Sequence, residues 1–166
     1  LVIIATGFLH DKTIKPEKSI KELSQAKFQQ LFNINAIAPA IIAKHFTPQL
    51  HKEKTSILAA ISARVGSISD NQLGGWYAYR ASKAALNMIL KNTAIEVKRS
   101  NKNAIIIGLH PGTVDSQLSK PFQSAVSKEK LFTAQHSVLK MLEVIEKLNM
   151  SHSGDVFDFN GIKIDS

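Results

Sequence analysis

Apolar positions along this chain alternate between two kinds of run. Short uninterrupted stretches at 1–5, 56–61 and 104–109 are rich in isoleucine, leucine and alanine. They are too short for helices and read as strands covered on both faces of a parallel sheet. Between them the spacing changes to threes and fours. Phe28, Leu31, Phe32, Ile34, Ile37, Ile41, Ile42 and Phe46 predict a helix over about 24–50, bent at Pro39, which has no N–H for the helical ladder. Ala84, Ala85, Met88, Ile89, Ala94, Ile95 and Val97 predict a second over about 76–98, and Val138, Met141, Leu142, Ile145 and Leu148 a third over 133–148. Residues 154–159 alternate apolar and polar, as an edge strand would. The polar stretches 8–22 and 62–75 read as loops, and 113–132 as irregular chain with at most a short helix.

Strand, helix, strand, helix, strand, helix, strand is the order of a Rossmann-like, doubly wound α/β sheet with about four parallel strands. No repeat or linker interrupts it, so 1–166 reads as one domain. The chain opens on Leu1-Val2-Ile3-Ile4-Ala5, inside a buried strand and without a polar lead-in. This leads us to expect a longer polypeptide. In such sheets ligands bind beyond the carboxyl ends of the strands. Thr6-Gly7 follows the first strand, Ser62 the second and Pro111-Gly112-Thr113 the third, while Tyr79 and Lys83 open the helix that leaves the second strand's loop.

Composition removes several alternatives. No apolar run is long enough to span a bilayer. The absence of cysteine excludes disulfides and thiolate metal sites and suits a reducing, cytoplasmic compartment. The six histidines lack metal-binding spacing, so no metal is expected. A net charge of +8 raises a nucleic-acid partner. The lysines are scattered, however, and no basic run is interleaved with aromatics as a stacking platform requires. Solvated helix faces account for them better.

Candidate chemistry centres on Tyr79 and Lys83, which a helix would place on one face. A phenol ionises near pH ~10, and a neighbouring cation is expected to lower that value into the range of neutral acid–base work. The spacing alone is weak, because lysine is abundant here; the shared sheet edge is what gives it weight.

The chain resembles the carboxyl-terminal two-thirds of a short-chain dehydrogenase/reductase, C-factor-like branch. The resemblance rests on Ile4-Ala5-Thr6-Gly7, Asn33-Ile34-Asn35-Ala36, Ser62-Ala63-Arg64-Val65-Gly66-Ser67, Tyr79-Arg80-Ala81-Ser82-Lys83 and His110-Pro111-Gly112-Thr113, in the family's order. It implies hydride transfer between NAD or NADP and a small carbonyl or secondary alcohol. Tyr79 would be the general acid or base, with Lys83 lowering its pKa and holding the nicotinamide ribose. Asn35 would hold a water that links Lys83 to solvent. Thr6, Gly7, Pro111, Gly112 and Thr113 would contact the cofactor. The family's polarising serine stands three residues before the loop glycine, where this chain has Ala63. Ser62, one residue earlier, is the choice for that role, with a different hydroxyl as the alternative. The glycine-rich phosphate loop and the residue that selects NAD or NADP would lie before Leu1. Phe122, Leu131 and Phe132 would form an apolar lid. The family also implies a homodimer or homotetramer through the helices carrying Asn35 and Tyr79. The alternative reading is a non-catalytic dinucleotide-binding or cell–cell signalling protein on the same fold.

Overall fold

The three apolar runs become adjacent strands of a five-stranded sheet, the first at its edge and the third beside the strand Val156–Asp158. The computed structural model describes residues 1–165, except for the side chain of residue 125. β1 (Val2–Ile4), β2 (Ser56–Ile61), β3 (Ala104–His110) and β6 (Val156–Asp158) are parallel, and β7 (Lys163–Ile164) closes the edge antiparallel to β6. β4 (Thr113–Val114) and β5 (Leu131–Phe132) form a separate two-stranded ladder. The strand expected at an edge, β6, is interior, with Val156, Phe157 and Asp158 all buried. Its alternation of residue types does not mark an exposed face, because the Asp158 carboxylate is satisfied internally by the Asn160 and Ile162 N–H groups and by Arg64.

Helices cover both faces. α1 (Gln25–Phe32), α2 (Ala38–Phe46) and α3 (Tyr77–Ser100) lie on one, and α4 (Ala134–Glu146) on the other. Alternate strand residues divide accordingly. Leu58, Ala60 and Ile106 pack with Leu86, Leu90 and Ala94 of α3, whereas Ala59, Ile105 and Ile107 pack with Val144 and Ile145 of α4. This two-sided burial explains why the strands are continuous apolar runs.

The helix expected to bend at Pro39 instead widens before it. Residues Asn33–Ile37 form a π-helical turn joining α1 to α2, and the Ala38 N–H donates to Asn33 five residues back. Pro39 cannot donate to the ladder and is buried at the first turn of α2, so the irregularity is taken up in the preceding turn. That turn aims the Asn35 side chain off the helix and into the protein.

Candidate active site

α3 begins on a left-handed approach: Gly74, Gly75 and Trp76 have φ of 63°, 65° and 50°. Its first turn carries Tyr79 and its second Lys83, both buried at 7% and 2% exposure. The Lys83 Nζ donates to the Ile61 carbonyl at 2.8 Å, at the carboxyl end of β2, and stands 6.0 Å from the centre of the Tyr79 ring. Burial pushes the Lys83 ammonium down to about 8 and the Tyr79 phenol up to about 12. The expected lowering of the Tyr79 pKa by Lys83 is therefore corrected. Desolvation of the phenolate dominates, and the ammonium is tied to a backbone carbonyl instead of the phenol oxygen.

Ser62 and Ala63 follow β2 directly, and both border the cavity. Ser62 borders the same cavity as Tyr79, but its hydroxyl donates to Asn87 Oδ1 of α3 at 2.6 Å. Ala63 borders the cavity too and packs in the apolar group that includes Tyr79, Leu9 and Trp76. Gly66 lets the loop lie against α3, since a Cβ there would stand 2.9 Å from the Lys83 backbone. Asn35 is fully buried and brackets the Phe8 backbone. Its Oδ1 accepts from the Phe8 N–H and its Nδ2 donates to the Phe8 carbonyl, both at 2.8 Å, with a further bond to Ser82 Oγ at 3.0 Å. Ser82 in turn donates to the Tyr79 carbonyl. Asn35 thus joins the loop after β1 to the helix of Tyr79 through protein atoms.

These residues meet on a cavity of 620 Å³ at the carboxyl edge of the sheet. Thr6 and Gly7 line one side, and Pro111, Gly112 and Thr113 another. Gly112 has φ 75°, and a Cβ on it would stand 2.7 Å from the Phe132 ring. The remaining walls include Leu9, Val65, Trp76, Leu118, Phe122 and Val126. Of the expected lid, Phe122 faces the cavity and packs at a tilt against Trp76, with ring centres 4.7 Å apart. Leu131 and Phe132 do not line it. They form β5, and Phe132 packs beneath Gly112 against Phe159. Trp76, Leu9 and Leu118 were not singled out by the sequence, which gives a lone apolar residue in a loop no periodicity to reveal what it faces. His110 also borders the cavity. Its buried Nδ1 has no hydrogen-bond partner, and its pKa falls to about 4, through burial and the nearby Arg64, opposed by Asp158. It is a neutral imidazole at neutral pH.

This arrangement can present a buried phenol proton and an ammonium to a molecule held over the sheet edge. Known proteins share its framework. Residues 5–127 match the family described as short chain dehydrogenase. The C-signal protein of Myxococcus xanthus is 32% identical over 146 residues, covering 88% of this chain and 82% of that protein. The 1-hydroxy-2-glutathionyl-2-methyl-3-butene dehydrogenase of Rhodococcus is 30% identical over 121 residues, covering 73% of this chain and 50% of that enzyme. Among solved structures, carbonyl reductase Sniffer of Drosophila melanogaster superposes with a TM-score of 0.82 at 20% identity, over 99% of this chain and 66% of that one. The NADPH-bound carbonyl reductase from chicken fatty liver gives 0.82 at 24%, over 99% and 64%. The chain thus spans most of the C-signal protein but about two thirds or less of these other relatives. The family match over residues 5–127, with the C-signal likeness beside it, establishes that this chain belongs to the short-chain dehydrogenase family.

Proposed function

We propose that the protein containing this chain is an NAD(P)-dependent oxidoreductase that reduces uncharged, apolar carbonyl compounds, with Tyr79 as proton donor. The observation that carries this reading is the burial of Tyr79 and Lys83 together beside an otherwise largely apolar cavity at the sheet edge. Among the described residues lining it there is no Asp, Glu or Arg, and Lys83 and His110 are the nitrogen bases. An anionic substrate head would find only Lys83, whose remaining donors the cofactor ribose would take. An aliphatic or aromatic ketone or aldehyde matches the Leu9, Trp76 and Phe122 walls.

The residues also fit a nicotinamide cofactor. Lys83 Nζ has three donors and one protein acceptor, leaving capacity for ribose hydroxyls. Thr6 and Gly7 offer exposed backbone, and the left-handed Gly112 lets the Pro111–Thr113 backbone approach without a side chain. The bound nicotinamide supplies the hydride. Tyr79, held as a phenol by burial, gives its proton to the oxygen that develops negative charge. The Lys83 ammonium, 6.0 Å from the ring centre, compensates the negative charge left on that phenol as the proton leaves. Ser62 polarises the carbonyl when its hydroxyl turns from Asn87, and Asn35 keeps the Phe8 loop and Ser82 in register behind Tyr79. The raised pKa keeps Tyr79 protonated at neutral pH, the form that reduction requires.

The test is oxidation of NADH or NADPH with a panel of aromatic and aliphatic aldehydes and ketones. Tyr79→Phe should lower turnover by about 10²–10⁴-fold and leave cofactor affinity within a few-fold. An unchanged rate refutes the assignment. A second reading, a dinucleotide-binding or signalling protein without turnover, has its own support in Ser62 already donating to Asn87 and in the likeness to the C-signal protein. Cofactor binding in wild type and Tyr79→Phe alike, with no turnover in either, would favour it. The reading includes a reducing, cytoplasmic setting, consistent with the cysteine-free chain. It also includes self-association through the outer faces of α2 and α3, where Ile41, Met88 and Ile95 are exposed. Light scattering that returned a monomer would remove the association.

A further inference from the structure

α3 is the longest helix described, and it starts without a capping side chain of its own. The Trp76 cap position is left-handed and makes no side-chain bond to the first turn. The first N–H groups of a helix need partners when buried. Here they come from Glu17, in the loop between β1 and α1. The Glu17 backbone carbonyl accepts from the Trp76 N–H, and its Oε2 accepts from the Ala78 N–H at 3.3 Å. Glu17 is 1% exposed, and among the described residues no lysine, arginine or histidine pairs with it. A buried carboxyl without a cation is costly; the positive end of α3 is the favourable feature beside it. The Gly75 backbone lies close enough that a Cβ there would stand 3.3 Å from the Glu17 carbonyl.

The residue that follows Ala78 is Tyr79. The residue before the helix, Trp76, packs its ring edge-on to Tyr79 at 6.1 Å and against Phe122 at 4.7 Å. Both neighbours of the Glu17 contacts therefore face the cavity. The phenol oxygen stands at the end of a long side chain, so a small rotation of the first turn displaces it much more than the backbone moves. A misplacement near 1 Å can cost about 10²-fold in rate.

We infer that Glu17 is a positioning residue. By clamping the head of α3 at Trp76 and Ala78 from a loop sixty-one residues before Ala78, it sets where the Tyr79 hydroxyl and the Trp76 wall stand in the cavity. This rests on the acid–base reading of Tyr79 for its effect on rate, but not for its effect on Trp76.

The test uses both. Trp76 is the chain's one tryptophan, so in a protein with no other tryptophan its emission and near-ultraviolet circular dichroism report the clamp without any turnover. Three variants serve: Glu17→Ala removes the side-chain acceptor, Glu17→Asp withdraws it by one methylene, and Glu17→Gln keeps an acceptor oxygen. Glu17→Ala and Glu17→Asp should shift the Trp76 emission to longer wavelength with far-ultraviolet dichroism retained. They should also lower kcat by about 10-fold or more with KM and cofactor affinity within about 2-fold, while Glu17→Gln stays within about 3-fold of wild type. Glu17→Asp decides the matter if Glu17→Ala does not fold. Trp76 signals unchanged in the folded variants overturn the inference. So does a normal kcat in Glu17→Asp when Tyr79→Phe abolishes turnover. If Tyr79→Phe is itself without effect, the acid–base reading has failed, and the Trp76 signals alone uphold or overturn the clamp.

Discussion

Replacing Lys83 by methionine should stabilise the protein at pH 7, by an amount that shrinks as the pH rises. Lys83 is 2% exposed, and burial lowers its pKa from 10.5 to about 8. A folded pKa below the unfolded one means that the folded state resists the proton. Stability from this group is then fully present above pH 10.5 and is lost as the pH falls toward and through 8. At about 1.4 kcal/mol per unit, carrying the charge at pH 7 disfavours folding by about 3 kcal/mol. Methionine keeps the apolar stem and removes that penalty, but leaves the Ile61 carbonyl without its donor, which costs about 1 kcal/mol. The variant should therefore be more stable by about 2 kcal/mol at pH 7. Between pH 7 and about 9.5 the wild type should regain about 2 kcal/mol against it, so that the two become nearly equal. The raised pKa of Tyr79 acts in the opposite sense. Its contribution is complete below pH 10 and is lost only toward about 12, so it leaves this window untouched. Urea denaturation of both proteins at the two pH values, followed by far-ultraviolet dichroism, measures the difference. A stability gap that does not change with pH, or a variant less stable at both, refutes the reasoning.

Two further substitutions probe the walls. Gly112→Ala places a Cβ 2.7 Å from the Phe132 ring and 3.0 Å from Phe159, at φ 75°; it should cost about 3 kcal/mol or more in the same denaturation assay, and a midpoint within error of wild type would show that β5 yields easily. Asn35→Ala removes three hydrogen bonds, one buried and two partly buried, and leaves the Phe8 N–H and carbonyl without these partners. A loss of about 3 kcal/mol is expected, with faster amide exchange at Phe8; unchanged exchange there would mean that the loop is held by other contacts.

The hydrophobic pattern located the central strands and the helix of Tyr79 and Lys83 because a buried face leaves its period in the chain. The run 56–61 is the strand observed, and the helix expected over 76–98 is Tyr77–Ser100. The sheet edge shared by Thr6-Gly7, Ser62 and Pro111-Gly112 followed from chain order, since parallel strands put the ends of their loops on one side. Period says which residues turn inward but not what they meet. Tertiary packing decided that Ser62 donates to Asn87, that Phe132 supports Gly112 rather than covering the cavity, and that β6 is flanked by β7. It also reversed the expected shift at Tyr79, because a pKa depends on how much water the fold removes and on where the ammonium points. Glu17 is the furthest case: in the sequence it is one acidic residue in a polar loop, and only the fold brings its carboxyl to the head of the helix that carries the chemistry.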